Sequence, residues 1–212
     1  MKKRILCFGD SNTWGAVPQE GTRHPEKVRW TGLLQELLGE DYQVIEEGYR
    51  GRTTVFDDEV KGRLSGLKYF GPCCDSQSPL DLVILMLGTN DLKTRFGVNA
   101  WTIASGFRRF LNTLNTISME GSRPKVLLVA PIKIDPAYKE NEEFHDMFGE
   151  HADERSCKFA EAYRVFAEKN GLEYLDASLY GVASKRDGIH MEAESHRSIA
   201  FAMAEKVKSI FS

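Results

Sequence analysis

Five short apolar runs, each separated from the next by residues of other character, constrain this chain more than any other feature. They are RILCF at 4–8, YQVIE at 42–46, DLVILML at 81–87, KVLLVA at 125–130 and LEYLDA at 172–177. The first, third and fourth are nearly continuous in apolar side chains. A strand with one wet face alternates apolar and polar residues. A continuous run needs cover on both faces, as in a parallel sheet flanked by helices.

Helical patterns lie between the runs. WTGLLQELLG at 30–39 ends on a glycine suited to a C-terminal cap. Residues 99–119 place Ile103, Phe107, Phe110, Leu111, Leu114 and Ile117 on one face. Residues 153–170 repeat Phe159, Tyr163, Phe166 and Ala167, and residues 192–211 carry Ile199, Met203, Val207 and Ile210 as a stripe. Strands alternating with helices predict a three-layer α/β/α sandwich around a five-stranded parallel sheet. No repeat, low-complexity tract or Pro/Gly/Ser linker divides the 212 residues, so 1–212 reads as one domain.

Bulk properties narrow the partners. Hydrophobic residues at 42% and charged residues at 28% are ordinary for a soluble globular protein. A net charge of −3 gives no electrostatic reason to expect nucleic acid or an anionic membrane. The run LVILML at 82–87 is too short to span a bilayer. In MKKRILCFGD, Gly9 and Asp10 cut the apolar stretch well short of a signal-peptide core. A cytoplasmic protein is therefore expected. Cys7, Cys73, Cys74 and Cys157 include no CxxC pair or zinc spacing, and reduced thiols are the simplest reading.

In doubly wound sheets ligands bind at the carboxyl ends of the strands. Three of those ends are unusual here: GDSNTWG at 9–15, EGYRGRTT at 47–54 and GTND at 88–91. Each joins glycine, which lets backbone N–H groups approach a ligand, to a small polar side chain. Any one alone reads equally as a turn or a helix cap. A fourth element, KRDGIHMEAE at 185–194, precedes the last helical pattern. Its Asp187 and His190, three apart, let the carboxylate receive the imidazole Nδ1–H while Nε2 points outward. A serine hydroxyl needs a base of that kind. The other histidines, His24, His145, His151 and His196, show no such partner, and no HExxH or carboxylate cluster suggests a metal.

Taken in order, the GDS serine, the second-strand glycine block, GxND and DxxH resemble the blocks of the SGNH hydrolases, the GDSL-type esterase superfamily. RWTGLL (29–34), VIEEG (44–48), GRTTVFDD (51–58) and LDLVILMLGTNDLK (80–93) are further similar to its bacterial arylesterase/acyltransferase branch. The resemblance implies a flavodoxin-like sandwich, no cofactor and a small-molecule ester substrate. It implies Ser11 as nucleophile, His190 as general base and acid, and Asp187 as the residue that orients the imidazole. The oxyanion hole maps to Ser11, Gly51 and Asn90. Gly51 is preferred to Gly48 because it directly precedes Arg-Thr-Thr. Asp10, Trp14, Lys93 and Phe144 are candidate substrate contacts, although Asp10 and Asp91 also suit turn and capping roles and Trp14 equally suits a core anchor. Lys93 and Arg52 read as polar rim or plain surface. Asn12 stands where the family motif has leucine, which raises a question of local packing. Ala16 stands where acyltransferase relatives carry a bulky aromatic, so a wider pocket is expected and transfer to alcohols is not implied. Residues 59–79 and 131–152, the latter with Phe144, Met147 and Phe148, are expected to wall the site. Insertions of this sort imply a homo-oligomer in the resembling branch.

The favoured reading is a serine esterase of small short-chain acyl or aryl esters. A carbohydrate O-deacetylase is the enzymatic alternative and would show a long open cleft with exposed aromatics. A non-catalytic binding protein of the same fold would lack a catalytic residue, and none is missing from the set.

Overall fold

The computed structural model describes residues 2–117 and 121–212. Positions 118 and 119, the end of the 99–119 helical pattern, lie outside the described residues. The five apolar runs are the strands β1 (Lys3–Gly9), β2 (Tyr42–Gly48), β3 (Leu82–Met86), β4 (Lys125–Ala130) and β5 (Glu173–Asp176). All neighbours pair in parallel, in the order β2-β1-β3-β4-β5. The order reverses between β1 and β3, and that is where a doubly wound sheet opens a crevice for ligands.

Helices cover both faces: α1 (Ser11–Trp14), α2 (Trp30–Leu38), α3 (Gly66–Ser76), α4 (Ala100–Thr116), α5 (Glu142–Phe148), α6 (Ala152–Ser156), α7 (Phe159–Asn170) and α8 (Ala193–Phe211). Alternate strand residues divide between two cores. Leu6, Phe8, Val83, Leu85 and Leu128 meet Phe70 of α3, Phe107 and Phe110 of α4 and Tyr163 of α7. Ile5, Cys7, Leu82, Ile84 and Leu127 meet Trp30 and Leu34 of α2 and Ile199, Met203 and Val207 of α8. β3 is therefore apolar at every position, and β1 and β4 are apolar beyond their first residues, because each face has its own core.

Three local outcomes differ from the sequence patterns. Residues 59–79 contain α3, which forms despite Gly66, Gly71 and an internal Pro72. Those residues disfavour a helix, but burying Phe70, Cys73 and Cys74 against the sheet overrides the local preference. Residues 131–152 likewise contain α5. The single pattern over 153–170 is broken into α6 and α7. Ser156 Oγ accepts from Ile134 N (2.9 Å) and donates to Asp153 O (2.6 Å), tying α6 to the segment after β4. All four cysteines are free thiols.

Phe107 is fully buried and touches Phe110, Tyr163 and Phe166 at ring-centroid distances of 5.5, 5.3 and 6.4 Å. Phe107→Ala should cost roughly 3–5 kcal/mol in urea denaturation, because the cavity it leaves is walled by rigid helices. A loss below about 1 kcal/mol would mean that this core collapses to fill the space.

Candidate active site

The carboxyl end of β1 turns directly into α1. Asp10 caps that helix, its side chain accepting from Asn12 N at 3.0 Å, and Ser11 is the first helical residue. The helix lies so close to the end of β2 that a Cβ on Gly48 would sit 2.1 Å from Trp14 N. Gly48 is thus needed for packing. Gly51 has a different part: its φ is +77° and it faces a cavity of about 380 Å³. Neither the Ser11 N–H nor the Gly51 N–H donates to an acceptor among the described residues.

Asn90 lies in a short 3-10 helix, Thr89–Leu92, that follows β3. Its Nδ2 donates to Arg52 O at 3.2 Å, which orients the amide and leaves a second N–H free. Asp91, fully buried, accepts from Thr54 N (2.9 and 3.1 Å) and from the Thr54 hydroxyl (2.5 Å). These bonds bind the loop after β2 to the turn after β3, so Gly51 and Asn90 face the same space. Burial pushes the carboxyl of Asp91 up to about 7 against the pull of Thr54, and burial likewise raises Asp10 to about 6.

Asp187 and His190 stand in the loop before α8. Asp187 has no exposed surface. Its Oδ1 accepts from Ile189 N and His190 N, both at 2.9 Å, and its Oδ2 accepts from Gln19 N at 3.1 Å and His190 Nδ1 at 2.8 Å. Burial pushes this carboxyl up, but the hydrogen bond and charge of the His190 ring, with the backbone N–H groups of His190 and Ile189, hold it at about 2. An ionised carboxylate only accepts, so Nδ1 carries the proton and Nε2 is left as acceptor. Ser11 Oγ lies 3.0 Å from Nε2. A hydroxyl facing an imidazole that a carboxylate holds in one tautomer is what nucleophilic acyl transfer requires.

Ser11, Gly51, Asn90 and His190 share the wall of that cavity with Ala16 and Val17 and with Phe144, Met147 and Phe148 of α5. The Phe144 ring lies 5.9 Å from that of His190. Other expected contacts fall elsewhere. Asp10 is 2% exposed, serves as a helix cap and does not line the cavity. Trp14 is also off the wall, covered by the guanidiniums of Arg50 and Arg23 at 4.8 and 5.4 Å. Lys93 does line the cavity, but it is buried and pairs with Asp58 at 3.3 Å. Arg52 is not surface at all. It stacks 4.0 Å over Phe8 and donates to Gly9 O at 2.9 Å and to Glu47 O, clamping the ends of β1 and β2. His145 and His151 do have carboxylate neighbours, Glu150 at 2.8 Å and Glu154 at 3.4 Å, but neither lines the cavity. Among the described residues no group of three or more His, Cys, Asp or Glu side chains is gathered to hold a metal ion, and no helix is long and apolar enough to cross a membrane.

Three contributors carried little signal in the sequence. Asn12 Nδ2 donates to Ile189 O at 3.1 Å, bracing α1 against the loop of His190. That contact answers the packing question raised by this position. Gln19, with φ +63°, offers only its backbone N–H to Asp187. Arg63 donates to the carbonyl of Arg50, on the peptide whose N–H belongs to Gly51.

Asp187 has a folded value below its ordinary 3.8. It therefore contributes stability above about pH 4 that is lost as the pH falls towards 2. In Asp187→Asn that contribution is missing. The gap in melting temperature between wild type and variant should narrow from about pH 4 to pH 2. Parallel curves across that range would show that Asp187 is not held ionised by its donors.

Comparison with known proteins agrees with this architecture. The family model for the GDSL-like lipase/acylhydrolases matches residues 7–197. The structure is similar to that of an aryl esterase from M. smegmatis, at 39% identity over 98% of this chain and 99% of that one, with a TM-score of 0.91. It is also similar to a carbohydrate acetylesterase from Sinorhizobium meliloti, at 38% identity over 99% and 100% of the two chains, TM-score 0.92. A second carbohydrate acetylesterase family member from that organism is 31% identical over 98% of each chain, TM-score 0.92. No curated protein matches the sequence. With nearly its whole length matched by the family model and by these structures, the chain belongs to the GDSL-like lipase/acylhydrolase family of ester hydrolases.

Proposed function

We propose that this protein is a serine esterase that cleaves small, short-chain acyl or aryl esters through an acyl-enzyme, with Ser11, His190 and Asp187 as its catalytic residues. The observation that carries this reading is the relay Ser11 Oγ to His190 Nε2 (3.0 Å) and His190 Nδ1 to Asp187 Oδ2 (2.8 Å) at the wall of one cavity. As Ser11 Oγ attacks the ester carbonyl, its proton passes to His190 Nε2. The carbonyl electron pair moves to oxygen, and the N–H groups of Ser11 and Gly51 with the amide of Asn90 receive that oxyanion. Collapse of the tetrahedral intermediate breaks the bond to the alcohol, which leaves with the proton from His190. Water then repeats the sequence on the acyl-enzyme and releases the acid. Asp187 keeps the ring in one tautomer and offsets its positive charge without itself taking the proton. A carbohydrate O-deacetylase would use the same steps, and the similarity to two carbohydrate acetylesterases supports acetylated sugars as substrates beside simple esters.

A fluorophosphonate probe should label the wild type and leave Ser11→Ala unlabelled; labelling that survives the substitution would sink the assignment of the nucleophile. With p-nitrophenyl acetate, Asn90→Ala should lower kcat roughly a hundred- to a thousandfold with little change in KM, as expected for a donor that acts on the oxyanion. A change confined to KM would place Asn90 in substrate binding instead.

A further inference from the structure

The cavity wall combines two chemistries. Apolar side chains from α5 and from Ala16 and Val17 contribute to it. The wall also carries Arg50, Lys61, Arg63 and Lys93, against a single carboxylate, Glu143. This excess of cations belongs to a chain whose net charge is −3, with 28 basic and 31 acidic residues. Two of the four are compensated: Lys61 lies 3.6 Å from Glu143, and Lys93 shares the buried Asp58 with Arg95. Arg50 and Arg63 have no carboxylate within ion-pair distance among the described residues. Arg50 gives one donor to Gly21 O at 2.8 Å, and Arg63 gives one to Arg50 O. A guanidinium has five N–H donors in a planar fork, so both keep donors to offer. Both also lie beside the reacting centre. Arg50 immediately precedes Gly51, and a Cβ on Gly51 would meet the Arg63 guanidinium at 2.5 Å.

The geometry points to an ester that carries its own anionic group, a carboxylate or an equivalent oxyanion, as the preferred substrate, with Arg50 and Arg63 as the residues that recognise it. This rests on the esterase reading and narrows it. The short acyl or aryl part lies against Phe144 and Met147, and the anion faces the arginine pair. A carboxylate accepts charge-assisted hydrogen bonds from these two cations, which a neutral ester cannot do. The anion could sit on the acyl half or on the alcohol half, and the test separates the two.

Two matched pairs of esters provide it. Methyl p-acetoxybenzoate and p-acetoxybenzoate differ by a charge on the leaving group. The methyl and free-acid forms of p-nitrophenyl glutarate differ by a charge on the acyl chain. With the enzyme-free rate subtracted, the charged member of at least one pair should show a kcat/KM about three- to fivefold above its neutral partner at low salt. Raising NaCl from about 20 mM to about 0.5 M should erase that preference while the neutral esters change little. Arg50→Gln should lower the charged-to-neutral ratio and Arg50→Lys should keep most of it. Arg63→Gln should lower it as well. The proposal is overturned if both neutral esters are turned over at least as fast as their charged partners at low salt, or if the ratio survives Arg50→Gln and Arg63→Gln together. Turnover of no ester at all would instead overturn the esterase reading, and this proposal with it. A ratio that falls in Arg50→Gln but also in Arg50→Lys would assign the effect to packing over Trp14 and reject recognition by charge.

Discussion

A carboxylate buried without a lysine or arginine partner is costly unless other donors replace the water it has lost. Asp187 is such a group, and much of the site follows from how its oxygens are satisfied. Four N–H donors reach it: two backbone groups from its own loop, the His190 ring, and the backbone of Gln19 from the segment after α1. The chain that follows β1 and the loop that precedes α8 must therefore meet at one point. His190 is left with one free nitrogen, and Ser11, at the start of α1, is the group in front of it. Asn12 repeats the same junction from the other side through Ile189 O. The residue that departs from the family motif is thus a brace between the helix of Ser11 and the loop of His190.

A second buried carboxylate does equivalent service at the neighbouring strand ends. Asp91 takes three hydrogen bonds from Thr54 and so holds the loop after β2 against the turn after β3. Asn90 adds its bond to Arg52 O, and Arg52 closes the arrangement by clamping the ends of β1 and β2. Donors that must point at a developing negative charge are useful only if they are already in place before reaction, since reorientation would cost part of what they stabilise. The Asn90 amide is held in this way by its hydrogen bond to the buried Arg52.

These two junctions are possible because the sheet is parallel. Every strand delivers its carboxyl end to the same edge, and the reversal of order between β1 and β3 leaves room there. The cavity combines the Ser11–His190–Asp187 hydrogen bonds with apolar side chains from α5 and cations from the segments after β2 and β3. The segments after β2 and β4 contribute much of the particular chemistry of this edge.

The strands, the main helices and the ordered set Ser11, Gly51, Asn90, Asp187 and His190 were legible in the sequence, because periodicity and motif chemistry are written in local side chains. A continuous apolar run such as residues 82–87 permits few environments, and an Asp three residues before a His in a turn permits few partners. What the sequence left open lies in contacts between distant segments. Arg52 and Lys93 carry charges that would ordinarily mark them as surface, yet tertiary partners bury both. Asp10 and Trp14 flank the serine in sequence but turn away from the cavity because α1 is packed onto Gly48. Gln19 contributes through a backbone N–H that every residue except proline possesses, so no side-chain pattern could mark it. The sequence by itself determined which groups were available and in what order the fold would present them. Only the tertiary structure decided that Ser11 and His190, 179 positions apart, would meet at 3.0 Å. Their distance is set by hydrogen bonds to buried backbone and carboxylate groups, and those form only once the separate strand ends have been brought together.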